Sequence, residues 1–189
     1  MNQAVFLDRD GVINRVILRD GIPFSPRTMD EFVLCDGIKT FLAESRKAGF
    51  LNIVVTNQPD IARGLMDALT TQAMHDFLRQ HLLLDDVLLC PHDDADNCCC
   101  RKPRPGMLTD AAAKWNIDLG VSFVIGDQRK DMEAGKAAGC VTVLLDCPYN
   151  KNVECDYRAT NLQSALKVIT HSDYGGHYGQ LYYRISRRC

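Results

Sequence analysis

Apolar and polar positions alternate in blocks along this 189-residue chain. QAVFLD (3–8) is a short apolar run that ends in an acid. Residues 36–50 switch to a longer period. Ile38, Phe41, Leu42 and Ser45 recur at the three- and four-residue spacing of one helical face. LNIVVT (51–56) is β-branched and continuous, the pattern of a strand buried on both sides. Helical spacing returns over 70–84, placing Met74, Phe77, Leu78 and His81 on roughly one side. DVLLCP (86–91) predicts a third strand, 106–117 a helix, and VSFVIGD (121–127) a fourth strand. Residues 128–139 predict a helix that Gly139 closes. CVTVLLD (140–146) predicts a fifth strand and 161–169 a last helix.

This alternation predicts an α/β fold built on a doubly wound, mostly parallel sheet. The length suits one domain with a full core, over residues 1–170. No large cap domain fits between the elements, although residues 15–34 can form a small flap. The segment 171–189 is rich in glycine and tyrosine and loses the alternation. It reads as a C-terminal extension, either mobile or packed on a partner subunit.

Composition narrows the function. The net charge is −2, which argues against a nucleic-acid binder that relies on bulk charge. No apolar run reaches the roughly eighteen residues that span a bilayer, so no membrane partner is expected. The N-terminus meets acidic residues at once, unlike a signal peptide. Nine cysteines, an odd number, then point to a reducing, cytoplasmic setting in which clustered thiols favour metal over disulfide. The oligomeric state is open, with a monomer favoured.

In parallel sheets the ligand lies beyond the carboxyl ends of the strands. Three predicted strands end there in Asp8, Thr56 and Asp127. Asp8 and Asp10 are two residues apart, so in an extended segment both carboxylates face the same way. They repel unless a cation or a shared proton lies between them, and Mg²⁺ with a phosphate would satisfy the pair. An ordinary Asp-Arg-Asp-Gly turn is the bland reading. Thr56 offers a hydroxyl to a phosphoryl oxygen, with Asn57 and Gln58 beside it, and Arg63-Gly64 offers a forked anion donor. Lys102 is a point charge suited to phosphate, flanked by Arg101 and Arg104, although a solvated basic loop has the same composition. Asp131 falls in the first turn of a predicted helix, where it either joins the acids or stabilises the helix start.

The densest stretch is CPHDDADNCCC (90–100). Two tight pairs, Cys90 with His92 and Cys98 with Cys100, supply three thiolates and one imidazole. That set is typical of closed structural zinc. Cys99 lies between two of them, so another ligand choice is conceivable, and metal-free buried or reactive thiols are the bland reading. Four protein ligands leave no open position, so a zinc here would organise a loop. Cys35 and Cys140 sit in apolar surroundings as core residues, whereas Cys147, Cys155 and Cys189 form no second metal pattern. His75 and His81 read as surface or partly buried, not as ligands, and His171 and His177 lie in the tail without a visible partner.

Acid-x-acid, Thr, Lys and Gly-Asp-x3-Asp, in this order, closely resemble the haloacid dehalogenase (HAD) superfamily of phosphotransferases. DRDGVIN, TNQ followed by IARG, C-P-H…C-x-C-R-K-P-x-P-G-M-L and GD-x3-DM look like its D,D-heptose 1,7-bisphosphate phosphatase group. The sister histidinol-phosphatase group shares DRDG, TNQ and the cysteine loop. The resemblance runs from about residue 3 to 146, and weakly to 169. It implies a Mg²⁺-dependent phosphatase of a small phosphosugar. Asp8 would attack phosphorus, Asp10 would act as general acid and base, and Thr56 and Lys102 would hold the phosphoryl group. Asp8, the Asp10 carbonyl and Asp127 would hold Mg²⁺. Asn57, Gln58, Arg63 and Arg101 would face substrate, and Cys90, His92, Cys98 and Cys100 would hold zinc, leaving Cys99 free. IARG and RKPRPGML favour the heptose bisphosphate, with its 7-phosphate removed. The five-residue gap between His92 and Cys98 is compact, as in the histidinol-phosphatase group. Pro59-Asp60 replaces the group's usual Ser/Thr-Gly, and an acid there disfavours a second phosphate unless it points away. A zinc-knuckle-like nucleic-acid module is the third reading. The acidic net charge and the lack of aromatic residues near the cysteines oppose it.

Overall fold

The structure is a computed structural model and describes residues 1–171. The extension expected from 171 onward therefore lies, apart from its first residue, outside the described residues. Six strands form one parallel sheet in the order β5-β4-β1-β6-β7-β8. They are β1 (Gln3–Leu7), β4 (Phe50–Asn57), β5 (Asp86–Cys90), β6 (Phe123–Gly126), β7 (Val141–Leu145) and β8 (Tyr157–Ala159). Helices α1 (Ile38–Lys47), α3 (Ala68–His81), α4 (Gly106–Trp115), α5 (Arg129–Ala138) and α6 (Leu162–His171) connect and flank them. The doubly wound α/β expectation is met.

The apolar runs are buried on both faces because each face has its own core. Within β1, Val5 and Leu7 belong to one cluster with Phe41, Leu42, Met74 and Ile169. Ala4 and Phe6 point the other way, into a cluster with Met107, Leu108, Ala111 and Met132. The period-two alternation of a strand explains this division. A fully buried side chain of this size contributes roughly 2 kcal/mol.

Strand order sets the site. The chain leaves β1, builds β4 and β5 on one side, then crosses to β6 and continues outward on the other. The winding reverses at β1, and the crevice beyond its carboxyl end is where such sheets take ligands. Between β1 and α1, the flap expected over 15–34 contains a two-stranded hairpin, β2 (Ile17–Arg19) and β3 (Ile22–Phe24). A single turn, α2 (Pro59–Ala62), follows β4.

Two expectations need correction. The buried stripe of α3 is Thr71, Met74, His75 and Leu78, not Met74, Phe77, Leu78 and His81. Polar Thr71 and His75 occupy the inner face, while Phe77 and His81 stack on each other at its flank, with centroids 4.2 Å apart. His75 is consequently fully packed inside, not at the surface or partly buried as expected. The start of α3 is fixed by Asp67, whose carboxylate accepts from the Thr70 amide at 2.7 Å, a cap contributing about 1 kcal/mol.

Candidate active site

The ends of β1 and β6 deliver Asp8 and Asp127 to one point, where Asp131 joins them from the first turn of α5. One ligand atom from each of these three carboxylates lies within 4.8 Å of the others. All three are buried. Two glycines make this approach possible. A Cβ on Gly11 would sit 2.2 Å from Asp127 Oδ2, and one on Gly126 would sit 2.3 Å from Asp131 Cβ. Gly11 also has φ +94°, which side-chain-bearing residues rarely adopt.

Lys102 is buried in the same cluster. Its ammonium lies 2.7 Å from Asp8 Oδ1 and 2.7 Å from Asp131 Oδ1, and donates to the Val55 carbonyl at 2.8 Å. Asp131 stabilises the start of α5 and also joins the acid cluster. It accepts from the Gln128 amide at 3.1 Å in a capping box and also pairs with Lys102. One ammonium does not balance three acids in a dry site. Burial pushes Asp8 up to about 6, against the pull of Lys102. Burial, followed by the charges of Asp8 and Asp131, pushes Asp127 up to about 8. The lysine itself is held above its ordinary value, because Asp131 and Asp8 outweigh its desolvation. Asp127 Oδ1 is buried without a hydrogen-bond partner. A bare buried carboxylate oxygen in a cluster of three acids is the environment of an oxygen-ligated divalent cation.

Asp10 has a different environment. Its carboxylate accepts from Arg9 at 2.9 and 3.0 Å, from Asn14 at 2.9 Å, from Gln58 at 2.7 Å and from Ser25 at 2.7 Å. Burial alone would raise Asp10, but Arg9 and these donors hold it at about 2. Arg9 is fully buried, stacks over Phe32 and meets His75 Nε2 at 3.4 Å. Gln58 Nε2 also donates to Thr56 Oγ1 at 2.9 Å, which links Thr56 to Asp10.

The open cleft above this centre is lined by Asp8 and Asp10, by Asn57, Pro59, Asp60 and Arg63 after β4, by Gln128 and Lys130, and by flap residues Val16, Pro23, Phe24 and Ser25. Not every expected substrate contact reaches it unpaired. The Asn57 amide is engaged at both ends with the Lys102 backbone, at 3.0 and 3.1 Å, so it fixes that lysine. Arg63 makes two bonds to Asp93, at 2.7 and 2.6 Å. Arg101 bonds Asp94 at 2.6 Å and the His92 carbonyl at 3.1 Å, and it does not line the cleft. Asp60 does line it, but its charge is met by Arg27 at 2.7 Å and Arg63 at 3.7 Å. The repulsion expected of Asp60 toward a second phosphate is offset by those cations.

The cysteine loop begins at the end of β5. Cys90 Sγ lies 3.6 Å from Cys98 Sγ and 3.7 Å from His92 Nδ1, and Cys100 Sγ lies 3.4 Å from both Cys98 Sγ and His92 Nδ1. A tetrahedron with Zn–S bonds of about 2.3 Å has S···S edges of about 3.8 Å. The four donors thus stand close to the spacing zinc requires, and Cys99 is exposed beside them.

Sequence reasoning missed several residues that shape the site. Arg9 was hidden inside a turn-like motif. Ser25 and Arg27 come from the aperiodic flap. Tyr149 donates its hydroxyl to Asp127 Oδ2, and Asn150 donates to the Asp127 carbonyl at 2.8 Å. Both follow β7 in a short loop with no motif to flag them.

Known proteins share this fold and much of this sequence. The profile of the HAD-hydrolase-like family matches residues 99–161. The D-glycero-beta-D-manno-heptose-1,7-bisphosphate 7-phosphatase of Photorhabdus laumondii is 38% identical over 176 residues, covering 86% of this chain and 90% of its own. The D-glycero-alpha-D-manno-heptose-1,7-bisphosphate 7-phosphatase of Burkholderia mallei is 37% identical over 158 residues, covering 77% and 80%. In three dimensions, the D,D-heptose 1,7-bisphosphate phosphatase of B. bronchiseptica, solved with magnesium and phosphate, superposes with a TM-score of 0.76 at 30% identity, covering 87% of this chain and 96% of that one.

Proposed function

This chain belongs to the D-glycero-D-manno-heptose-1,7-bisphosphate 7-phosphatase family of HAD-like hydrolases, and on that footing we propose that it removes the 7-phosphate of that sugar in a Mg²⁺-dependent reaction through an aspartyl-phosphate. The observation that carries the proposal is the bare Oδ1 of Asp127 beside Asp8 at the sheet's reversal point.

Asp8 is the nucleophile. Lys102 holds its Oδ1, which leaves Oδ2 to form the bond to phosphorus as the bond from phosphorus to the sugar O7 breaks. Asp10 gives its proton to that departing oxygen and then takes one from the water that attacks the aspartyl-phosphate, so that phosphate leaves and Asp8 is restored. In the free enzyme Asp10 is held at about 2. An anionic phosphoryl group arriving beside it raises that value, so that Asp10 takes up a proton from solvent as substrate binds. Thr56 accepts from Gln58, so its own hydroxyl hydrogen is available to a phosphoryl oxygen. Lys102 contributes positive charge as charge develops on phosphorus.

Asp8, the Asp10 carbonyl and Asp127 would hold Mg²⁺, which when bound screens the attacking carboxylate from the phosphate. Cys90, His92, Cys98 and Cys100 would hold zinc, a scaffold that presents Lys102 two residues after its last ligand. The Pro23–Ser25 edge of the flap faces the sugar and Ser25 also bonds Asp10, so substrate binding and the acid are in contact. The relatives' names divide between the α and β anomers, so the test uses both. Steady-state kinetics on α- and β-heptose 1,7-bisphosphate, histidinol phosphate and hexose phosphates should give the highest kcat/KM on a heptose bisphosphate. A higher value on histidinol phosphate would reject the substrate assignment, and no Mg²⁺-dependent hydrolysis of any of them would reject the reaction.

A further inference from the structure

The loop after β7 touches the acid cluster at two points. Asn150 is buried. Its side-chain amide donates to the Asp127 carbonyl at 2.8 Å and the Leu145 carbonyl at 2.7 Å, and its own oxygen accepts from the Cys147 amide at 3.0 Å. Tyr149, half-buried beside it, donates its hydroxyl to Asp127 Oδ2. The backbone and the side chain of Asp127 are therefore held separately by adjacent residues of one loop. The same oxygen, Oδ2, packs against Gly11, whose missing Cβ leaves just enough room for it. With Oδ2 taken, Oδ1 is buried without a hydrogen-bond partner, and the Asp127 carboxylate as a whole clusters with those of Asp8 and Asp131.

From this geometry we infer that Tyr149 is a positioning residue, whose hydroxyl bond to Oδ2 turns Asp127 Oδ1 toward the divalent cation and keeps it there before the cation arrives. The inference rests on the proposed role of Asp127 as a cation ligand. Its physical basis is general. A carboxylate free to rotate about Cβ–Cγ must lose that freedom when a metal binds, whereas a donor fixed on one oxygen removes the freedom in advance and leaves the other oxygen as ligand. Losing such an outer contact typically weakens metal binding by about ten- to a hundredfold.

Isothermal titration of MgCl₂ into the full zinc-replete chain, without substrate, tests the inference. Tyr149→Phe deletes the hydroxyl and keeps the ring. Its Mg²⁺ dissociation constant should rise by about tenfold, with unchanged far-ultraviolet circular dichroism. The Mg²⁺ concentration for half-maximal hydrolysis should rise in parallel, by a larger factor than turnover at saturating Mg²⁺ falls. A purely structural tyrosine would instead lower the melting temperature and leave Mg²⁺ affinity alone. Should Tyr149→Phe not fold, Tyr149→Met, which also lacks the hydroxyl, must show the weakened Mg²⁺ binding. Unchanged or tighter Mg²⁺ binding in the folded variant, beside a wild type that binds Mg²⁺ and hydrolyses phosphosugar, overturns the role of Tyr149 alone. A wild type that does neither overturns the functional reading beneath it.

Discussion

Among the described residues, two clusters of metal-binding type are built on opposite principles. Cys90, His92, Cys98 and Cys100 come from eleven consecutive residues and already form a near-tetrahedron. Every position of that tetrahedron is filled by protein. Asp8, Asp127 and Asp131 come from segments more than a hundred residues apart, assembled only because β1 and β6 are neighbours in the sheet. Their cluster retains a bare oxygen and opens toward a cleft. A closed local set resists change and suits a scaffold, whereas an open non-local set leaves room for chemistry. On the proposed reading, the chemically louder stretch of sequence is the quieter part of the reaction.

Perturbing the two clusters should give different outcomes. Apart from loss of the nucleophile or of Mg²⁺, the largest effect is expected at Lys102, which pairs with the acids and follows the cysteine loop. Lys102→Met removes the donor to Asp8 and should lower kcat by about 10² to 10³. It also leaves two buried acids without their cation, a cost of roughly 3–5 kcal/mol in the metal-free chain, and Mg²⁺ should restore part of the lost melting temperature. An unchanged kcat would separate Lys102 from the phosphoryl group.

Cys98→Ser attacks the scaffold instead. Zinc content should fall from about one per chain, the melting temperature should drop, and kcat/KM should fall by about tenfold, because Lys102 and its loop lose their anchor while the acids remain. Loss of zinc without loss of stability would contradict the scaffold role. Removing Mg²⁺ from the same preparation should stop hydrolysis and leave the zinc content intact.

The smallest effect concerns the support beneath Asp10. Burial, then the Arg9 and Arg79 charges, lower His75 to about 4 from 6.5. The unfolded chain takes up this proton first as pH falls. The stability contributed by neutral His75 is therefore complete above about pH 6.5 and is lost on the way down to about pH 4, a change on the order of 3 kcal/mol. In His75→Asn that loss is absent, so denaturant midpoints of wild type and variant should converge between about pH 7 and 4. A difference that stays constant with pH would show that His75 does not titrate as described.

What could be read in the sequence follows from how local each signal is. The Cys/His cluster was legible because its four donors share one short segment. Asp8, Thr56 and Asp127 were legible because each ends an apolar run, and a parallel sheet brings such ends together. The inner face of α3 was misjudged because Thr71 and His75 are polar, and apolar spacing selects Phe77 and His81 in their place. The strand β8 spans only three residues, one of them buried, too short for any periodic signal. Ser25, Arg27, Tyr149 and Asn150 reach the site from loops, where neither period nor spacing indicates direction. The pairing of Arg101 with Asp94, and of Asn57 with the Lys102 backbone, depends on folded distances that composition does not carry.

The central claim is that the acids perform the reaction while the cysteine loop only holds its shape. Turnover and zinc content measured together on Asp8→Asn test it most directly. The account predicts a folded chain with about one zinc and no detectable hydrolysis of heptose 1,7-bisphosphate at saturating Mg²⁺. A zinc-replete Asp8→Asn chain that still hydrolyses the sugar phosphate at the wild-type rate would contradict it.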